Sequence, residues 1–378
     1  MSRLIVSTAV PHKKIELDSL IAPFTPITDA EAATVANDVF GISGKVTRFA
    51  TEKDDTFRLE DTRGRRYVLK VANPAEDESE LEFQVSLLEH IAATDPILPV
   101  PRVKRTADGG PFGRVVDSSG QHRKVRLMSY LGGTPLDAMQ STDEQRECVG
   151  ATLAKLRLAM SSFGHPAAHR IVPWDVKNLP GLVHLAVDIA DCRHADLLAA
   201  GIERIASLAL DSARLRKQVL HNDFSKSNIV VDPGSPAFIT GVIDFGDAVH
   251  TAIAIDVSTA LLNQLPRNNG RLPSDDMFAQ GRDVLRGYLR HADLTADELA
   301  LIPYFVMARV ITRALLSLGL AKRFPNNAAY LLRNTEQGWA QLEWFLHRSS
   351  DEIAGSLDLT QSSTTRNSFC AASPSRIL

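Results

Sequence analysis

Residues 219–250 read VLHNDFSKSNIVVDPGSPAFITGVIDFGDAVH. Four polar residues of the catalytic kind, His221, Asp223, Asn228 and Asp244, fall at set intervals between stretches rich in Val and Ile. NIVVD and FITGVID have the composition of two short strands joined as a hairpin. That pairing holds Asn228, where the first strand begins, near Asp244, where the second one ends.

Outward from this hairpin the 378-residue chain divides by character. Residues 1–26 lack periodicity and read as an N-terminal extension. Thr28 and Glu31 then form a capping box that opens the helical run DAEAATVANDVF. KVTRFAT, TFRLEDT and RYVLKVA follow as β-like runs with short connections, which predicts an antiparallel meander. Next, EDESELEFQVSLLEHIAA predicts a helix with Leu81, Val85, Leu88 and Ile91 on one face. Two further strands, GRVVD and KVRLMSYL, lead to the Gly132-Gly133 pair, read as a hinge. Beyond it Thr142 and Gln145 cap another helix, and from residue 295 most of the chain is helix-like. The expected fold class is α+β and bilobal. A β-rich N-lobe spans 27–131, a mainly helical C-lobe spans 132–355, and residues 356–378 form a Ser/Thr-rich flexible tail.

Composition bounds the partners. A net charge of −3 gives no global attraction for nucleic acid or anionic lipid, so small molecules are expected. The three cysteines, Cys148, Cys192 and Cys370, have neither metal-site spacing nor disulfide density and read as reduced thiols. The apolar run at the N-terminus is too short for a signal sequence and is broken by Pro11. No run approaches 18 apolar residues, so the expectation is a cytoplasmic protein with no membrane partner.

The opening segment gains its chemistry in this setting. Phosphoryl transfer asks the protein for a carboxylate near the acceptor hydroxyl and for oxygen ligands to magnesium. His221, Asp223 and Asn228 have the H-x-D-x4-N form of a kinase catalytic loop, with Asp223 as base and Asn228 as a magnesium ligand. Asp244 opens a D-F-G tripeptide at a strand end, where a carboxylate can bridge metal and nucleotide phosphates. His221 reads as a structural hydrogen-bonding residue rather than a proton carrier. Asp247 has two readings, a metal or substrate contact and a simple strand end.

HNDFSKSN followed by IDFGD resembles the aminoglycoside phosphotransferase and choline kinase superfamily. More narrowly, VFGISGKVTRF, YVLKVANP, LEFQ, MSYLGGTPL, WDVKNLPGL, GVIDFGDAVH and GWAQLEWF resemble hydroxylysine kinase and its bacterial relatives. The resemblance implies a protein-kinase-like fold and a small amino alcohol or amino acid as acceptor. It also implies Mg2+, with ATP or GTP as co-substrate. It gives Lys70 contact with the nucleotide phosphates and a helix acid as its partner, yet the aligned position holds Gln84, with Glu82 and Glu78 as the nearby acids. The phosphate-covering loop, residues 51–56, lacks the Gly-rich pattern and leaves Thr56 or backbone amides to cradle phosphate. Backbone groups of Ser129 and Leu131 are expected at the purine edge, with Tyr130 or Met128 as apolar contact. For the acceptor, Arg309 stands in an apolar helical run as either a carboxylate partner or half of a structural ion pair. Trp174 and Asp175 line the pocket or simply pack beside a helix cap.

Overall fold

The computed structural model describes residues 14–15, 17, 22, 24–49, 51, 54–189, 191–208, 214–266 and 276–359. The tail from residue 360 with Cys370, most of the N-terminal extension, and Glu52 and Lys53 of the phosphate-covering loop lie outside these residues. In the first part, α1 (Asp29–Phe40) precedes β1 (Gly44–Arg48), β2 (Asp55–Asp61) and β3 (Arg66–Val71), and α2 (Glu78–Thr94) precedes β4 (Val103–Lys104), β5 (Gly113–Val116) and β6 (His122–Ser129). These six strands form one antiparallel sheet in the order β1-β2-β3-β6-β4, with β5 also on β6. The meander arises as its sequence predicts.

Alternation along the strands gives the sheet two unlike faces. Phe57 and Leu59 of β2, Leu69 and Val71 of β3, and Val125 and Leu127 of β6 are buried with Ala32, Ala36 and Phe40 of α1. On the opposite face the cross-strand register sets Thr56, Lys70 and Arg126 side by side. Helix α1 begins at the predicted capping box and ends at Gly41 in the left-handed conformation. Helix α2 is buried on more than the single predicted stripe, because it lies between the sheet and the helical part. Its Phe83, Leu87, Leu88 and Ile91 join the larger core.

The second part comprises β7 (Thr134–Pro135), α3 (Asp143–Met160), α4 (Cys192–Ser207), β8 (Lys217–Leu220), β9 (Ile229–Val231), β10 (Ile239–Val242) and β11 (Val249–Ala252). Helices α5 (Ile253–Leu262), α6 (Ala279–Leu289), α7 (Ala296–Arg323), α8 (Ala328–Leu331), α9 (Thr335–Leu346) and α10 (Ser350–Gly355) complete it. The predicted hairpin is β9-β10, joined at its edge by β7, while β8 pairs with β11. At the hinge, Gly133 has φ +141, and a Cβ there would stand 2.6 Å from the Val231 carbonyl oxygen, so only glycine fits. Helix α7 is long and apolar enough to cross a bilayer, but 78% of its most apolar window is buried inside the fold, where it serves as the central core helix. Ile15 and Leu17, in the stretch without periodicity, are also buried in this core, and the Ile15 amide donates to the Gly181 carbonyl at 3.2 Å.

Candidate active site

The segment after β8 departs from regular structure in a controlled way. Asn222 has φ 62, a conformation that non-glycine residues rarely hold without support. Its amide donates to Asp256 Oδ1 at 2.7 Å, and its side-chain amide donates to the Asp247 carbonyl at 3.3 Å. Asp256, fully enclosed in α5, thus braces the turn that presents Asp223. His221 is also fully buried. Its Nδ1 accepts the Asp223 amide at 3.3 Å, so the ring proton sits on Nε2, which donates to the Ile243 carbonyl at 3.1 Å. Burial pushes its pKa down to about 4, consistent with a neutral structural ring that ties the two motifs together.

Asp223, Asn228 and Asp244 converge as the hairpin reading expects. The Ile243 amide donates to the Asn228 carbonyl at 2.9 Å, which sets the end of β10 beside the start of β9. Asn228 Nδ2 donates to Asp223 Oδ2 at 2.7 Å and to the Asp223 carbonyl at 3.0 Å. With both amide protons directed at Asp223, Asn228 retains its side-chain oxygen for another ligand. Asp244 has φ 63 and a half-exposed side chain, with Lys70 Nζ 3.8 Å from its Oδ1. The Lys70 ammonium is the main cause of a carboxyl pKa below the ordinary range. Asp223 shifts the other way: burial and then the neighbouring Asp247 charge raise it, against the pull of Arg309 and the Asn228 hydrogen bond.

Lys70 meets this carboxylate rather than any of the helix residues aligned as its partner. Gln84 is buried and accepts from Arg126 Nη1 at 2.6 Å, Glu78 pairs with Arg114, and Glu82 is exposed. The physical reason is the register: Arg126 stands directly across from Lys70 and occupies the space between the sheet and α2. Arg126 is a buried cation with Asp54 3.8 Å away, and burial works against its charge while Asp54, Glu76 and Asp244 favour it. Thr56, buried on the other side of Lys70, completes the row. At the hinge, the Ser129 amide donates to the Arg102 carbonyl at 2.9 Å, so a purine contact by Ser129 would use its carbonyl. Leu131 follows, its side chain set against Gly241. Tyr130 stacks on Phe49, with centroids 6.5 Å apart.

Below these residues opens a cavity of about 1180 Å³ lined by Asp223, Asp247, Trp174, Arg170, Arg309 and Arg313, among others. Arg309 is only 5% exposed. Its Nη2 lies 3.9 Å from Asp223 Oδ1, its guanidinium carbon is 5.8 Å from the Trp174 ring centroid, and its Nη1 is buried with no hydrogen-bond partner. Asp175 does not line the cavity, which corrects its reading as a pocket residue. It is fully buried and caps the 3-10 segment Val176–Asp188, accepting from the Lys177 amide and the Thr251 hydroxyl, both at 3.1 Å. Arg126, Arg170, Arg313 and Asp256 went unnoticed in the sequence. Asp256 carried a signal, a lone acid in the apolar run AIAIDVSTALL.

Residues 45–294 match the phosphotransferase enzyme family APH. The chain belongs to this family. It is a small-molecule kinase acting on an alcohol group, with a nucleotide as co-substrate. Among curated proteins this phosphotransferase is 24% identical to hydroxylysine kinase of Mus musculus over 340 residues, 84% of this chain and 88% of that one. Among solved structures it is similar to a microcompartment-associated aminopropanol kinase, with a TM-score of 0.66, 21% identity, and coverage of 86% and 99%. The GDP complex of wild-type aminoglycoside 2'-phosphotransferase-IIIa aligns with a TM-score of 0.57, 16% identity, and coverage of 83% and 99%. These likenesses agree with the bilobal kinase-like fold. Among the described residues no three His, Cys, Asp or Glu side chains converge as a closed metal site. The side-chain oxygen of Asn228 and the Asp244 carboxylate, whose Oδ1 also accepts the Gly246 amide at 3.3 Å, fit magnesium nonetheless, because that ion takes one or two protein oxygens and completes its shell with water and substrate phosphates.

Proposed function

We propose that this phosphotransferase moves the γ-phosphate of GTP or ATP to the side-chain hydroxyl of 5-hydroxylysine or a closely similar amino alcohol. Asp223 accepts the hydroxyl proton while the hydroxyl oxygen bonds to the γ-phosphorus and the bond to the β-phosphate oxygen breaks, releasing the nucleoside diphosphate. A base must hold the proton once transfer is under way, and burial, with the Asp247 charge beside Asp223, favours that protonated form. Asp244 and Asn228 would hold Mg2+, which when bound neutralises charge on the phosphates. Lys70, with Thr56 beside it, faces the same phosphates. Ser129 and Leu131 stand where the purine edge is expected, and a nucleoside triphosphate donor fits a cytoplasmic location.

The observation that carries the acceptor assignment is Arg309, a buried guanidinium with an unpartnered nitrogen beside the proposed base. An α-amino acid supplies the missing carboxylate, which a planar fork matches well. Asp247, on the same cavity wall, supplies a negative charge for the substrate ammonium. The similarity to hydroxylysine kinase over 84% of the chain favours hydroxylysine within that class. The decisive experiment crosses ATP and GTP with hydroxylysine, homoserine, aminopropanol and aminoglycosides, reading nucleoside diphosphate release and the phosphorylated product by mass spectrometry. Preferential turnover of kanamycin-like polycations would overturn the assignment.

A further inference from the structure

The loop bearing Asp244 and Asp247 is fastened from the cavity wall by Arg170, a residue that no motif singles out. Arg170 follows the 3-10 segment Pro166–His169, and its side chain is 11% exposed. Its Nε and Nη2 donate to the Ala248 carbonyl at 3.3 and 2.9 Å, and Nη2 also donates to the Gly246 carbonyl. Its Nη1 donates to Glu80 Oε2 at 2.5 Å, in the first turn of α2. Phe83, one turn further along α2, lies with its ring centroid 5.5 Å from the guanidinium carbon. One rigid fork thus grips the loop on both sides of Asp247 and the helix at once.

We propose that Arg170 is a positioning residue that couples α2 to the Asp244–Asp247 loop, a link that a lysine–acid pair does not make in this chain. Lys70 pairs with Asp244 itself, and Gln84 is engaged by Arg126, while Glu80 and Arg170 join α2 to the loop by direct hydrogen bonds. Asp244 needs such support, since its φ of 63 persists only where the surroundings hold it. His221 holds the preceding residue through the Ile243 carbonyl, and Arg170 holds the following ones. The proposal rests on the reading of Asp244 as a magnesium ligand. Residues that orient a metal ligand typically change metal affinity about ten- to a hundredfold when removed.

The test uses the full-length protein and the variants Arg170→Gln, Arg170→Lys, Glu80→Gln and the Glu80→Gln/Arg170→Gln double. Methylanthraniloyl-labelled ATP and GTP are titrated with and without Mg2+, and hydrogen exchange is followed at the amides of residues 245–248. Arg170→Gln should raise the magnesium midpoint roughly tenfold. It should speed exchange in the loop, yet leave metal-free nucleotide binding within about twofold. Arg170→Lys, a point donor without the fork, should fall between. Glu80→Gln should shift both readouts the same way by less, and the double variant should be no worse than Arg170→Gln. A folded Arg170→Gln with wild-type midpoint and exchange overturns the proposal, as does simple additivity in the double. If Arg170→Gln does not fold, Glu80→Gln decides by the same two readouts. Asp244→Ala in the same titration separates the two ideas. An unchanged midpoint there removes the metal reading, whereas loop exchange still judges Arg170.

Discussion

Replacing Arg309 by Met tests the acceptor site most directly. The substitution keeps an unbranched apolar stem beside Trp174 and removes the guanidinium, whose Nη1 is buried without a partner. If the substrate carboxylate is that partner, its loss removes one charge-assisted pair, about 1.5 to 3 kcal/mol. The Michaelis constant for hydroxylysine should then rise roughly ten- to a hundredfold. The same arginine pulls the Asp223 pKa down from 3.9 Å, so turnover should also fall. That second effect is common to every acceptor. The informative quantity is therefore the Michaelis constant of hydroxylysine relative to that of its carboxyl-amidated analogue, measured by coupled detection of nucleoside diphosphate release. Arg309→Met should change it for hydroxylysine and hardly for the amide. Equal losses with the two substrates would refute the clamp and leave Arg309 as a structural partner of Asp223.

Asp223→Asn should lower turnover by roughly a hundredfold or more while leaving nucleotide binding nearly intact, as read by turnover and a fluorescent-nucleotide titration. Near wild-type turnover in a folded variant would remove Asp223 as base. Asn228→Ala and Asp244→Ala should each raise the magnesium concentration needed for nucleotide binding, and unchanged dependence in both would dismiss the metal site. For Asp256, burial raises the carboxyl from 3.8 to about 7, against the Asn222 amide bond and Arg309. A folded value above the unfolded one means that the native state binds more protons between them. The stabilising contribution is thus complete below about pH 4 and is lost as pH rises through about 7. Asp256→Asn, which keeps an acceptor for the Asn222 amide, should shrink the drop in denaturant stability between pH 5 and pH 8. An unchanged drop would mean that Asp256 is not its source.

The features legible in the sequence are those that short spacing fixes. The capping boxes at Thr28 and Thr142 and the β9-β10 hairpin depend on neighbours within a few residues or on one turn, and each forms as read. The same locality brings Asp223, Asn228 and Asp244 together, because the hairpin spans only sixteen residues from Asn228 to Asp244. In β3, Lys70 stands on the face opposite Leu69 and Val71, but the sequence does not say what stands across from it. That is Arg126, 56 residues on, set by the β3-β6 register, and the helix partner aligned for Lys70 went to it instead.

Trp174 and Asp175 show why single polar residues in a pocket-like motif are harder to assign than paired ones. Adjacent in sequence, they point to different surroundings: Trp174 faces the cavity beside Arg309, while Asp175 turns into the protein as a cap. Either arrangement suits the segment PWDVKNLPG, since a 3-10 turn needs an acceptor at its start whichever side faces the substrate. Arg309 and Asp256 pose the converse problem. Both are ionisable groups in apolar helices, and both must find compensation, but composition alone cannot separate a brace from a ligand contact. The proposed acceptor site separates them by where each one stands and what it lacks. Asp256 already accepts the Asn222 amide at 2.7 Å, whereas Arg309 keeps a buried nitrogen without an acceptor on the wall of the cavity that holds the proposed base. An unpaired buried donor is costly unless something completes it, and under the proposed function the acceptor carboxylate is the group that completes Arg309.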